Sequence, residues 1–261
     1  VHRIWVNGVE DGGVPGDDPG LLLGLTVFET VRTYGGVPFR LQQHVDRLVE
    51  SGRQMGIALP TNGEITSEIQ SYIGHAQGED VRVRYTVTDG GQRIVDCHTV
   101  DSSGVGAPIR LGRLDWDPPE WLPGVVKHGS RASWIVAARQ QEVDEVLLVD
   151  RHGFMLEANR SNVFAVVDGV VWTPPLDDRF LAGVTRGALL DAAHGASLPI
   201  EERSLPFEGD YDEFYVSSSL KELAPVVWCC GREGPGAGPV GRRLHDAFRA
   251  LVASEVGHSR G

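Results

Sequence analysis

Lysine is nearly absent from this 261-residue chain: of its 24 basic residues, only Lys127 and Lys221 are lysines. Cysteine is scarce too, with Cys97 and the adjacent Cys229 and Cys230 making an odd number and no C-x-x-C pair. This excludes a disulfide framework and a cysteine zinc site. No apolar run is long enough for a membrane span or a signal-peptide core, so no membrane partner and a cytoplasmic location are expected. The nine histidines include no H-E-x-x-H and no paired spacing, so no metal site is expected. An excess of positive charge is missing as well. The net charge is −12, with acidic residues spread along the chain, which argues against nucleic acid as a partner. What is present, 41% hydrophobic and 23% charged residues, is an ordinary globular composition. The length suits one large domain or two smaller ones.

The two lysines matter because of what arginine cannot do. A guanidinium stays protonated and forms no Schiff base, whereas a desolvated lysine amine can act as nucleophile and proton carrier. A general preference for arginine explains why lysines are few and not why two remain. Amine chemistry is therefore sought at Lys127 and Lys221, against the alternative that either is incidental.

Short strands and helices alternate along the chain. Strands are expected at Ile4–Val6 before an Asn7-Gly8 turn, and at Thr26–Thr33 before Gly35-Gly36. A helix is expected over His44–Met55, with Val45, Leu48 and Val49 near one face and Gly56 as the stop. Thr61-x-x-Glu64 has capping-box spacing ahead of a second helix carrying Ile65, Ile69 and Ile73. Val81–Thr88 alternates strictly and pairs with Arg93–Val100 as a hairpin around Asp89-Gly90-Gly91. The Ser/Gly/Pro-bearing stretch Asp101–Pro108 reads as a linker. This divides the chain into a small N-terminal α/β domain, 1–106, and a larger C-terminal domain, 107–261.

Beyond the linker come a strand at Ile109–Leu114, a proline-rich loop, Lys127 and a helix over Ala132–Gln141. Strands follow at Glu145–Val149, Phe154–Glu157 and Asn162–Val167. A helix over Thr185–His194, a strand at Glu213–Ser217 and a terminal helix near Arg242–Val256 complete the pattern. The class is α/β (α+β), without the regular beat of a barrel or a Rossmann unit.

Two motifs are set aside. Gly236–Gly241 matches G-x-G-x-x-G, but prolines interrupt it and too little chain follows for a dinucleotide-binding unit, so it reads as a flexible loop. Ser218-x-x-Lys221 matches the S-x-x-K of serine acyl-enzymes, but no lysine follows for the second motif that chemistry needs. It reads as a turn before Pro225.

Six other segments fall into a recognisable order. They are Val27-Phe28-Glu29-Thr30-Val31-Arg32 with His44-Val45-Asp46-Arg47-Leu48, then Val126-Lys127-His128-Gly129-Ser130-Arg131, and Asp144–Asp150 leading into Leu156-Glu157-Ala158-Asn159-Arg160-Ser161-Asn162-Val163-Phe164. Leu181-Ala182-Gly183-Val184-Thr185-Arg186 and Glu213–Ser219 reaching Pro225-Val226 complete the set. In this order and spacing they resemble the class IV aminotransferases, the fold type IV pyridoxal-phosphate enzymes, over about residues 5–228. The resemblance implies a two-domain fold with a mixed-sheet, barrel-like core in the larger, cofactor-binding domain. It also implies a homodimer and a small amino-bearing substrate.

Carried over by position, the resemblance makes Lys127 the Schiff-base lysine and sets Glu157, in E-x-x-x-x-N-x-F, against the pyridine nitrogen. Arg47, Val184, Thr185 and Ser219 fall at the phosphate, Val184 and Thr185 at a helix start that favours anions. Ser219 departs from the threonine common in relatives and keeps the hydroxyl. Arg32, Arg84 and Arg131 are candidates for a substrate carboxylate, since planar bidentate pairing suits arginine. Each arginine also has a plainer reading as a structural ion pair, and Arg47 alone would read as a helix-surface charge. Asn162 reads as structural, and Lys221 as a surface residue.

Within the family two reactions compete. Lys127-His128-x-x-Arg131 and the short chain favour aminodeoxychorismate lyase, which releases pyruvate and 4-aminobenzoate, a folate precursor. Tyr85–Gly91 departs from the lyase pattern. The alternative is a branched-chain or D-amino-acid transaminase, and a reading from another class is a pyridoxal-phosphate-binding protein without turnover.

Overall fold

The computed structural model describes residues 2–258. The chain forms two compact units. Of the described residues, the first comprises 2–101 together with 126–130 and 254–258, and the second comprises 102–125 and 131–253. The short segment around Lys127 therefore belongs to the first unit, although it follows the linker in sequence.

The first unit contains β1 (His2–Val6), β2 (Val9–Glu10), α1 (Pro19–Leu23), β3 (Thr26–Tyr34), β4 (Val37–Pro38), α2 (Leu41–Met55), α3 (Asn62–Gly74), β5 (Val81–Thr88) and β6 (Arg93–Thr99). Its sheet runs β2-β1-β6-β5-β3-β4, with every pairing antiparallel. Strand alternation decides the faces. Val27 and Val31 of β3, Val83 and Tyr85 of β5, and Val95 of β6 join Val45, Leu48, Ile65 and Ile69 of α2 and α3 in one apolar core. Arg32, Arg84 and Phe28 take the opposite phase.

The helix ends follow local chemistry. Thr61 and Glu64 make the reciprocal capping box that their spacing predicts, at the start of α3. Gly56 closes α2 at φ 68°, a left-handed turn that glycine enters without steric cost. The start of α2 lies three residues before the expected His44, because Arg40 takes the left-handed conformation and lets the helix begin at Leu41.

The second unit contains β7 (Ile109–Asp115), α4 (Ala132–Gln140), β8 (Glu145–Val149), β9 (Phe154–Ala158), β10 (Asn162–Val167), β11 (Val170–Thr173), α5 (Val184–Gly195), β12 (Ile200–Glu202), β13 (Leu205–Pro206), β14 (Glu213–Ser218), β15 (Glu222–Cys229) and β16 (Arg232–Glu233). It also holds most of α6 (Pro239–His258). Nine strands run in the order β12-β11-β10-β14-β15-β7-β8-β9-β13, with β16 paired to β15. The sheet is mixed: β7 is parallel to both β8 and β15, and β11 to β12.

This sheet must curl. Only Asn159, Arg160 and Ser161 separate β9 from β10, yet the two strands stand five places apart in the hydrogen-bonding order. A flat sheet would put them roughly 24 Å apart at about 4.8 Å per strand. A connection of that length reaches at most about 15 Å at about 3.8 Å per Cα step. Curling brings them together, and a bridge between Ala158 and Ser161 closes the turn. Every residue of β8 is buried, Leu147 and Val149 in one core and Val146 and Leu148 in another. Both faces of this strand are thus covered, as its unbroken apolar run Val146–Val149 requires.

The turn expected at Ser218-x-x-Lys221 is present, closed by Lys221 N–H donating to Ser218 O at 3.2 Å, and Pro225 follows it inside β15. The strand tolerates it because pairing with β7 begins only at Val226, so the missing N–H falls outside that ladder. One expectation is corrected: Gly236–Gly241 is not a flexible loop. The Glu213 carboxylate accepts hydrogen bonds from the Val240 and Gly241 amides at 3.0 and 2.8 Å, and the Tyr215 hydroxyl accepts one from Gly238 at 2.8 Å. Side chains at Gly238 and Gly241 would collide with Glu213 and Tyr215. These glycines permit close packing, and the anion at this helix start is the protein's own. The strand Val170–Thr173 escaped the sequence reading because it is short. It completes a hairpin at the Asp168-Gly169 turn, where both residues have positive φ.

Candidate active site

In the first unit, Lys127 is held by its backbone. Its N–H donates to Ser51 Oγ on α2 at 3.1 Å, and its carbonyl accepts from Phe28 N–H on β3 at 3.1 Å. Gly129 N–H then donates to Thr26 O, and Ser130 Oγ to Gly24 O, both at 2.9 Å. A Cβ at Gly129 would lie 2.0 Å from Thr26 Oγ1, so the segment can run this close to β3 only with glycine there. The Lys127 ammonium stands 4.9 Å from the centre of the Phe28 ring. The guanidinium of Arg84 lies over the same ring at 3.5 Å. Arg32 is buried and stacks on Tyr34 at 4.4 Å.

Arg47 has a partner that the sequence reading did not name. Its Nε and Nη2 donate to the two carboxylate oxygens of Glu29 at 2.6 and 2.8 Å, and His44 Nδ1 meets Glu29 Oε2 at 2.8 Å. Glu29 is only 1% exposed. Burial by itself would raise its pKa, but the Arg47 charge and the hydrogen bonds from His44 and Arg47 hold it well below the usual carboxylate range. Burial lowers the pKa of His44, helped by the charges of Arg47 and Lys127 and opposed by Glu29. The clue was available in sequence: Val27, Glu29 and Val31 share one strand phase, and a charge between core valines requires a buried partner. Glu29 fixes the direction of the Arg47 guanidinium.

In the second unit, the candidates gather around Asn162. Its Nδ2 donates to Glu157 Oε2 at 3.3 Å and to Leu181 O at 2.8 Å. Asn162 therefore orients the Glu157 carboxylate and ties it to the loop that starts α5. Gly183 caps α5 without a side-chain bond, and a Cβ there would sit 1.9 Å from Asn162 Oδ1. Val184 and Thr185 are the first two residues of this helix and both are buried. Asn162 also pairs across the sheet with Ser217, two residues before Ser219. The spacing E-x-x-x-x-N is thus the length of a strand end plus a turn, placing an amide beside the carboxylate. Arg131 stands at the start of α4 over the Trp134 ring at 4.8 Å. Burial lowers its pKa, opposed by Glu157 and Glu145.

Lys221 is not the surface residue expected. Its ammonium pairs at 2.6 Å with Glu145, a fully buried carboxylate. Glu145 also accepts from Arg160 N–H at 3.1 Å and Ser161 Oγ at 3.0 Å. One buried charge thereby links the turn between Glu157 and Asn162 to the turn that follows Ser219. Among the described residues no helix is long and apolar enough to cross a membrane.

With this arrangement in hand, comparison with known proteins gives a consistent result. A family model described as amino-transferase class IV matches residues 26–229. The chain belongs to the class IV aminotransferase family. It is 29% identical to the branched-chain-amino-acid aminotransferase of Salmonella typhimurium, covering 97% of this chain and 94% of that protein. It is 27% identical to D-alanine aminotransferase of Listeria monocytogenes, covering 95% and 94%. Among solved structures, the branched-chain aminotransferase of the archaeon Thermoproteus uzoniensis superposes with a TM-score of 0.85 at 24% identity, covering 97% of this chain and 95% of that one. The branched-chain amino acid aminotransferase of Escherichia coli gives 0.83 at 24% identity over the same shares. The fold is that of the fold type IV enzymes, mixed α/β in both units.

Two outcomes test this account. Glu29→Gln should lower stability by about 3 kcal/mol in denaturant melts, because Arg47 loses the carboxylate it is buried against. Since the folded pKa of Glu29 is depressed, its contribution is present above the unfolded carboxylate value and lost as pH falls below it. The variant should therefore show a weaker acid dependence than the parent. Lys221→Ala should also cost about 3 kcal/mol, most of it regained when Glu145→Gln is added. An unchanged midpoint in the single variant would disprove the pairing.

Proposed function

We propose that this chain is an amino-acid transaminase of the branched-chain or D-amino-acid type. As a class IV aminotransferase it is a pyridoxal-phosphate protein, and the residues present fit that cofactor: an amine, an oriented carboxylate, a helix start without a side-chain cap, and hydroxyls. The observation that carries the reading is the fate of the two lysines. Lys221 is committed to buried Glu145, so amine chemistry falls to Lys127, which the matched family segment includes.

Bound pyridoxal phosphate supplies an electron sink for charge developing at the α-carbon of an amino substrate. In the proposed assignment Lys127 holds the cofactor through its amine and afterwards carries a proton. Glu157, steadied by Asn162, keeps the proton on the pyridine nitrogen. The first amides of α5 at Val184 and Thr185, with the Ser219 hydroxyl and Arg47, bind the phosphate. Arg32, Arg84 and Arg131 are proposed for a substrate carboxylate. The backbone bonds from Ser51 and Phe28 would fix the base of the Lys127 side chain while its amine moves.

The sequence favoured the lyase on Lys127-His128-x-x-Arg131 and chain length. Similarity to branched-chain and D-alanine aminotransferases supports its alternative, transamination, and we adopt it. The Asn162 clamp on Glu157 supports turnover over mere cofactor binding, because orienting a carboxylate at the ring matters for electron withdrawal. The division into domains 1–106 and 107–261 stays a proposal. So does a homodimer, supported by Leu21, Leu22 and Leu23, which are 63–69% exposed on α1.

Cofactor-loaded protein should lose its pyridoxal absorbance to the pyridoxamine form with a branched-chain L-amino acid or a D-amino acid, and Lys127→Ala should do so at no measurable rate. Full turnover by Lys127→Ala would sink the assignment. A spectrum unmoved by every donor, with consumption of aminodeoxychorismate, would return the lyase. Sedimentation should give the mass of two chains; a single-chain mass at micromolar concentration would dismiss the dimer.

A further inference from the structure

The sheet of the first unit brings together two histidines far apart in sequence. His2 on β1 lies directly opposite His98 on β6, and Asp96, two residues before His98, shares its face. The two imidazoles stack with centroids 3.7 Å apart. His98 Nε2 lies 2.7 Å and His2 Nε2 3.5 Å from the same oxygen, Asp96 Oδ1. One ligand atom from each of the three residues falls within 4.8 Å of the others. The other carboxylate oxygen, Oδ2, accepts a hydrogen bond from Arg82 Nη2 at 2.9 Å, and Arg82 stands opposite His98 on β5.

We propose that His2, Asp96 and His98 bind a divalent transition-metal cation such as Zn2+. Two imidazole nitrogens and a carboxylate oxygen are ligand types that zinc takes at about 2.0–2.2 Å, which puts tetrahedral ligands about 3.4 Å apart. His2 already stands at that spacing from Asp96 Oδ1, His98 reaches it by opening about 0.7 Å, and the exposed His2 ring must turn out of its stack on His98 so that both nitrogen lone pairs meet at the ion. The β1–β6 ladder fixes both histidine Cα positions, so little chain entropy opposes binding. Arg82 holds Oδ2, turning Oδ1 toward the imidazoles in the way outer-shell partners orient metal ligands. The His2 side chain is 55% exposed, leaving an entry path and a fourth position for water. A bound ion would clamp β1 onto β6. Sequence spacing predicted no metal site because strand pairing, and not proximity along the chain, assembles the three ligands.

The test is a Zn2+ titration of chelator-stripped, cofactor-loaded protein against a competing chromophoric chelator, with His2→Gln and His98→Ala in parallel. One Zn2+ per chain is expected. Each variant should weaken binding by at least about 100-fold, since even outer-shell partners contribute about 10–100-fold. Zn2+ should raise the Tm of the parent and not of His2→Gln. His2 is largely exposed, so that variant keeps the test open if His98→Ala folds poorly. Equal affinity in His2→Gln would overturn the proposal and place the ion elsewhere, for instance at Cys229 and Cys230. Absence of saturable binding to the parent would overturn it as well.

Discussion

A carboxylate taken out of water must be matched by designated donors, and that requirement organises both units of this protein. Glu29, Glu145, Glu213 and Glu222 are each at most 4% exposed. Glu29 faces Arg47 and His44, Glu145 faces Lys221 and the Ser161 turn, and Glu213 takes the first amides of α6. Glu222 is met by His245 at 2.7 Å and Arg249 at 3.0 Å. Removing one partner leaves an uncompensated buried charge, so each pairing fixes where two elements must stand. In a chain of net charge −12 these four are a small share of the acids, but they hold helices and turns to the sheets.

Glu29 and Glu145 lie one layer behind the residues proposed for cofactor chemistry. Glu29 aims Arg47 from a core-facing strand position, while Ser51, four residues along the same helix, receives the Lys127 amide. Glu145 anchors the turns beside Glu157 and Ser219. Positioning by buried charge is suited to a site whose groups must be held in fixed rotamers, because the supporting pairs cannot shift without exposing an unpaired ion. The two lysines thus divide the work: Lys221 serves the scaffold, and Lys127 is the amine proposed for chemistry.

Much of the fold was legible in the sequence. Val81–Thr88, Glu145–Val149 and Asn162–Val167 have the observed bounds, because alternation and turn chemistry are local. The capping box at Thr61 was legible for the same reason. Strand β15 was hidden by Pro225, whose tolerance depends on which ladder lacks an N–H, and the glycines at 236–241 misled because their close packing partner is a distant strand. Of the proposed site, the motifs named Lys127 and Glu157 and gave Asn162 only as structural. They did not reveal that Asn162 holds Glu157, nor that Glu29 holds Arg47.

Composition and local pattern by themselves determined the α/β class, most element positions, the family resemblance and the short list of residues able to do amine chemistry. These rest on backbone propensities and on motif order, which a linear chain carries in full. Tertiary structure alone decided the rest. It returned Val126–Ser130 to the first unit, curled a sheet so that β9 and β10 meet, tied Lys221 to Glu145, and set His2 across from His98. Apart from β9 and β10, each of these joins residues separated by tens of positions, and all depend on strand order or the burial of charge, neither of which is written in any local window of the chain.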